Sequence, residues 1–282
     1  MLYHEALIRD INAAQPAYGA LSFWWLGQMG LCVKTARHTL WFDPYLEESQ
    51  LRQFPPPLLP DEITNADFVF GSHDHSDHIS RDTFARIGRS SPNARFIVPG
   101  NLAEQLAADT GISRYIGIDD GQTYTAGDAE QRAEIQITGI AAAHELLTPD
   151  ADGRFANIIY VVRVDGVTIC HMGDTCIYDG LTAKLSAISP IDLLMLPING
   201  RDGKRLRSGC IGNMTYQEAV DLAGTLAPRL TIPGHYDMFA DNSENPALFA
   251  HYAEIKYPGL DFWIGQHSRR IEQHAAAPQI LC

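Results

Sequence analysis

The chain has 282 residues, with 34 acidic and 21 basic side chains and a net charge of −13 when histidine is neutral. A field of that sign repels polyanions and counts against nucleic acid as a partner. No uncharged apolar run is long enough to cross a membrane, and residues 1–20 lack the basic start and apolar centre of a secretory signal, so a cytoplasmic protein is expected.

No linker or break in composition divides the chain. One domain over residues 1–282 is expected, with a helical extension at 1–20 and a tail at 267–282. The five cysteines, at 32, 170, 176, 210 and 282, are odd in number and form no C-x-x-C pair. This argues against a disulfide framework and for small buried hydrophobes.

In chain order, residues 2–14 place Leu7, Ile8 and Ile11 on one helical stripe that Pro16 ends. Strands at 21–26 and 30–35 flank the turn Gly27-Gln28-Met29-Gly30, and a third at 39–42 runs into Asp43-Pro44, an antiparallel opening. By spacing alone Asp43 reads as a turn former before proline. Residues 54–60, Phe-Pro-Pro-Pro-Leu-Leu-Pro, predict a stiff, exposed connector. The apolar run 66–70 then leads into Gly71-Ser72-His73-Asp74-His75-Ser76-Asp77-His78-Ile79-Ser80, with Ser80 as N-cap of a helical pattern at 82–87.

A strand at 96–98, a helix capped by Asn101 with Glu104 and ended by Gly111, and strands at 116–118, 122–124 and 133–138 follow. They lead to Ala141-Ala142-Ala143-His144-Glu145. Asp165-Gly166 turns a hairpin of 157–164 and 167–170, which delivers His171-Met172-Gly173-Asp174. Gly173 lets the backbone bend closely there. After a buried-type strand at 191–196, the basic run 201–207 reads first as a solvated loop and second as a site where Arg201 and its neighbours capture a phosphate or carboxylate. Thr215 and Glu218 form a capping box for a helix to Leu226, and a strand at 230–232 delivers Gly234-His235-Tyr236-Asp237. Residues 263–266 predict a closing strand.

The 71–80 stretch carries the chemistry. His73 and His75, two apart, share one side if the backbone stays extended, and Asp77 and His78 are presented from a second direction where the chain turns. Mixed imidazole and carboxylate donors suit Zn, Mn or Fe rather than Ca or Mg. A surface turn rich in histidine and aspartate is the bland alternative, but so much potential charge in one place is costly without a cation.

His73, His75, Asp77 and His78, in H-x-H-x-D-H, resemble the metallo-β-lactamase superfamily of hydrolases. Trp24-Trp25-Leu26-Gly27 followed by Gly30, the Ala-Ala-His-Glu ending at Glu145, Asn213-Met214-Thr215, and His235 to Phe239 followed by Asn242 resemble its L-ascorbate-6-phosphate lactonase-like branch. The resemblance implies an α/β fold, a metallo-β-lactamase-like four-layer αββα sandwich. It implies that His73, His75 and His144 hold one ion, that Asp77, His78 and His235 hold another, and that Asp174 bridges them. It also implies that Asp43 supports the site by hydrogen bonding. Asp77 can accept a proton as well as ligate. Glu145, Arg201, Asp237 and Asn242 are candidates for holding ligands or touching substrate, with turn or solvated roles as the alternative.

The function so implied is a metal-dependent hydrolase with one or two divalent ions per chain, Mn or Zn. Its reaction is the opening of a small sugar-acid lactone, phosphorylated or not, by a metal-activated hydroxide. The partner is then a small molecule, an anionic one included, with no membrane, and a homo-oligomer is allowed. A phosphodiesterase or nuclease acting on small diesters is the second reading, and a non-catalytic metal-binding protein the third.

Overall fold

The computed structural model describes residues 1–127 and 134–274. Ala133, expected to open a strand, and tail residues 275–282 lie outside the described residues. The first half contains α1 (His4–Ala13), β1 (Leu21–Gly27), β2 (Gly30–Lys34), β3 (Thr39–Phe42), β4 (Phe68–Phe70), α2 (Arg81–Ser90), β5 (Arg95–Pro99), α3 (Ala103–Thr110) and β6 (Tyr115–Ile118). The second contains β7 (Thr123–Ala126), β8 (Ile135–Ala141), β9 (Ile158–Val164), β10 (Val167–His171), α4 (Leu181–Ser186), β11 (Leu193–Pro197), α5 (Gly203–Arg207), α6 (Tyr216–Leu226), β12 (Leu230–Gly234), α7 (Pro246–Lys256) and β13 (Ile271–Gln273).

Two sheets form, in the orders β13-β1-β2-β3-β4-β5-β6 and β12-β11-β10-β9-β8-β7. They pack face to face with helices outside, the expected αββα layering. Period-two geometry explains why β1 is apolar at almost every position. Leu21, Phe23 and Trp25 point into the inter-sheet core, whereas Trp24 and Leu26 join Leu7 and Ile11 of α1 and Phe84 and Ile87 of α2 in an outer cluster. Trp24 Nε1 donates to Asp10 Oδ2 at 2.8 Å, which pins α1 to the sheet. On the other sheet, Leu181 and Leu185 of α4, Ala219 and Val220 of α6 and Phe249 of α7 extend the main core.

Strand direction positions the site. β3, β4, β5 and β6 are mutually parallel, as are β10, β11 and β12. β8 and β10 both run antiparallel to β9 and therefore share a direction. Within each sheet the carboxyl ends of these strands emerge along one edge, so the residues that follow β3, β4, β8, β10 and β12 can converge. Because β2 is antiparallel to β3, the β1–β2 turn lies on that edge too.

Several local expectations are corrected. Residues 263–266 form no strand: Phe262 makes one bridge to Thr231, and the chain then crosses to the first sheet, where Trp263 packs edge-on against Phe23 and Trp25. The edge strand instead comes from the expected tail, as β13 on β1. Asn101 does not cap α3: Leu102 N donates to Pro99 O in a preceding turn, and Leu102 takes the N-cap position with no side-chain bond. The proline-rich connector is only partly exposed: Pro55 and Leu59 face out, but Pro56, Pro57, Leu58 and Pro60 are buried and His4 N donates to Pro57 O. The basic run is not an irregular loop: Asp202 caps α5 by accepting from Lys204 N and Arg205 N, both at 2.9 Å. Cys32, Cys170, Cys176 and Cys210 are free thiols, the first three buried.

Candidate metal centre

The segment after β4 does not stay extended. His78 N and Ile79 N both donate to His75 O, at 3.0 and 2.8 Å, and curl it into a tight turn. A Cβ on Gly71 would lie 2.4 Å from Ile79 Cγ1, so glycine is what lets the turn fold back on its own strand. His73 and His75 still meet, with ring centroids 4.5 Å apart, through the bend rather than through strand periodicity.

The later motifs arrive at the same place. His144 follows β8, its Nδ1 on Gly212 O at 3.2 Å, which turns Nε2 inward to 3.4 Å from His75 Nδ1. Gly173 follows β10 at φ +54, and a Cβ there would lie 2.5 Å from Ser72 Cβ. Asp174 is thereby carried between two groups of imidazoles. Its Oδ1 lies 3.4 Å from His78 Nε2, and its Oδ2 lies 3.1 Å from His235 Nε2 and 3.7 Å from His144 Nε2. Asp77 Oδ2 lies 3.7 Å from His78 Nε2 and 3.9 Å from His235 Nε2. Three overlapping sets of donor atoms lie within 4.8 Å of one another: His73, His75 and His144; His73, His78 and Asp174; Asp77, His78 and His235.

Charge is concentrated in a nearly dry place. Burial opposes the charged form of His78, but Asp174, Asp77 and Asp43 together overcome it and hold its pKa well above the ordinary value. His235 is likewise raised against burial, by Asp174. Burial favours a neutral Asp174, yet His235 and His78 hold its carboxyl well below the usual range. His73 and His144 are pushed down, chiefly by burial. The cluster thus combines imidazoles whose charged form burial disfavours with others whose charged form the neighbouring carboxylates favour.

A divalent cation fits this donor set. His73 Nε2, His78 Nε2 and Asp174 Oδ1 are buried without a hydrogen-bond partner, a costly condition for polar atoms that face one another. Neutral imidazole nitrogens and carboxylate oxygens at this spacing are donors for Zn, Mn or Fe.

The remaining expected residues surround the cluster. Asp43, fully buried, accepts from Ser72 N at 2.8 Å, Ser72 Oγ at 2.7 Å and His78 Nδ1 at 2.6 Å. It therefore fixes the tautomer that leaves His78 Nε2 facing Asp174. Glu145 accepts from Gly212 N at 2.8 Å and so braces the carbonyl that holds His144. Arg201 is engaged by Glu218 through two bonds of 2.7 Å and also donates to Asn213 O. Asp237 accepts from Gln28 N and pairs with His267, and Asn242 accepts from Asn199 Nδ2 at 2.8 Å. His171 is buried, stacked on Phe42, with Nε2 on Met29 O.

Ser72, Gln28 and His267 carried no functional signal in the sequence. Ser72 was legible only as the neighbour of the histidines, and Gln28 only as a turn residue. Gln28, Asp43, Glu145 and His235 all adopt positive φ, between +41 and +62, without being glycine. Such backbone strain concentrates where surrounding structure over-determines a residue's position.

The family described as the beta-lactamase superfamily domain matches residues 38–236. A metal-dependent hydrolase of the UPF0173 group from Opitutus terrae is 30% identical over 240 residues, covering 83% of this chain and 92% of its own. A metallo hydrolase from the archaeon Ignicoccus hospitalis superposes with a TM-score of 0.69 at 19% identity, over 90% of this chain and 99% of its own. An isothiocyanate hydrolase from Delia radicum gut bacteria superposes with a TM-score of 0.67 at 15% identity, over 90% and 99%. At those identities the two structures speak for the fold alone.

Proposed function

The chain belongs to the metallo-β-lactamase superfamily and is a metal-dependent hydrolase, and from that premise we propose that it opens a small lactone at a two-cation centre. His73, His75 and His144 would hold one cation and Asp77, His78 and His235 the other, with Asp174 available to both. The observation that carries this reading is the placement of Asp174, whose Oδ2 faces both His144 of the first group and His235 of the second, while its Oδ1 faces His78 of the second. A carboxylate with partners in both groups is suited to a shared position.

Bound divalent cations supply a water acidic enough to attack at neutral pH and polarise the group it attacks. The protein's own residues set up the rest. Asp43 and Ser72 lock the His78 ring, and Gly212 locks the His144 ring. Asp77 is only partly buried, at the open side of the cluster, where its carboxylate can take up a proton as the ester is cleaved. Ring opening consumes one water per ester bond broken and leaves a carboxylate, an alcohol and one proton, which passes to solvent.

The sequence likeness around Trp24–Gly27 and His235–Asn242 supports a lactone ahead of a phosphodiester, and the net charge of −13 disfavours long nucleic acids. The test combines metal analysis with a substrate panel. Two cation equivalents and lactone turnover are expected in the wild type, with Asp174→Ala and His75→Ala each losing metal and activity together. Full activity in either variant overturns the ligand assignment. A diester rate far above every lactone rate overturns the substrate class while leaving the centre intact.

A further inference from the structure

We propose that Gln28 is a positioning residue for the Asp77, His78 and His235 group, its side-chain amide holding Asp77 in the orientation that completes a cation site. This rests on the ligand assignment given above.

Gln28 lies at the corner of the β1–β2 turn, fully buried and at φ +50. Both its backbone and its side chain are committed to the loop that carries His235. Its N–H donates to Asp237 Oδ1 at 3.1 Å, and its carbonyl accepts from His235 N and from Trp25 Nε1, both at 3.0 Å. The side-chain Nε2 donates to Asp77 Oδ2 at 3.2 Å and lies 3.4 and 3.5 Å from the two ring nitrogens of His235. Its Oε1 accepts from Met238 N at 3.4 Å.

The amide's orientation follows from chemistry. Met238 N–H can only donate, and an Asp77 carboxylate can only accept, so Oε1 must face the former and the NH2 the latter. A reversed amide would set oxygen against carboxylate and donor against donor. The residue therefore joins one ligand, Asp77, to the chain segment that bears another, His235, although 49 and 207 positions separate them from Gln28. Asp77 Oδ2 is also the oxygen nearest His78 and His235. Partners of this kind, which touch a ligand rather than the cation, typically change metal affinity by about 10–100-fold when removed.

Two substitutions separate the side chain from the backbone. Gln28→Gly keeps every main-chain bond and relieves the left-handed strain, while removing the amide. Gln28→Met fills the space without a donor. Full-length protein loaded with Zn2+ is titrated with a chromogenic chelator, and cations are counted as they are released, with circular dichroism confirming the fold. In both variants one of the two cations is expected to leave at about 10–100-fold weaker affinity, the other as in wild type. If Gln28→Met fails to fold, the glycine variant decides. Wild-type affinity for both cations in Gln28→Gly overturns the inference and leaves the ligand assignment standing. Equal weakening of both cations overturns it as well, since the effect is then general rather than on one group. A wild-type chain that takes up no cation overturns the ligand assignment itself, and the Gln28 role with it.

Discussion

Gly173 decides whether Asp174 reaches the centre. It combines φ +54 with a neighbour 2.5 Å from where a Cβ would stand, so a larger residue meets backbone strain and a clash with Ser72 together. Gly173→Ala is expected to cost about 2 kcal/mol or more in urea unfolding. It should also weaken cation binding, because Ser72 is bonded to Asp43 and lies 3.3 Å from His78 Nδ1. Wild-type stability would mean that the turn relaxes freely. Gly173 was legible in the sequence as the bend at a strand end, with the role of Asp174 implied by the family resemblance. Gln28 was not, because nothing in a Gly-Gln-Met-Gly turn shows that the glutamine points inward to a residue 49 positions away.

The β9–β10 hairpin shows the same division between neighbouring and distant contacts. Its turn, Asp165-Gly166, has both residues at positive φ, +47 and +80, as the dipeptide predicts. The Asp165 carboxylate, buried at 1% side-chain exposure, has a second task. It accepts from Thr35 Oγ1, Arg37 N, Arg37 Nε and His38 Nδ1 at 2.7 to 3.2 Å, and so clasps the second sheet to the β2–β3 turn of the first. Burial would raise its pKa, but these partners hold it below the ordinary carboxylate range. The folded value is thus lower than the unfolded one of about 3.9. The stabilisation is complete above the unfolded value and is lost as pH falls through the folded one. Asp165→Asn is expected to cost about 2 kcal/mol at neutral pH. The gap from wild type should close as chemical unfolding is repeated at successively lower pH below about 4; a gap constant down to pH 2 would contradict the linkage. The turn was readable from two adjacent residues, whereas its partners lie about 130 positions away.

If the proposed ligands hold cations, binding and folding are coupled across the molecule, because those residues come from strand ends in both sheets. On the proposed assignment, a cation at 100 times its dissociation constant adds about 2.7 kcal/mol to stability per site. Chelation should therefore lower the midpoint of thermal unfolding by several degrees. An unchanged midpoint in chelator would argue against cations at this centre. Among the described residues, no helix is long and apolar enough to cross a membrane.

The donors of H-x-H-x-D-H and most strands and helices could be read directly, because that motif and capping residues act over a few neighbouring positions, whereas His144, Asp174 and His235 were joined to them through family likeness. The αββα arrangement was reached through family likeness, since short strands and capped helices do not by themselves select it. Folding alone determined that most of the proline-rich connector is buried, that β13 rather than 263–266 closes the first sheet, and that Arg201 faces Glu218. It also determined that Gln28, Asp43 and Asp174 meet the histidines. That last meeting depends on the parallel strands emptying along one edge of each sheet, which brings together side chains that no local pattern relates.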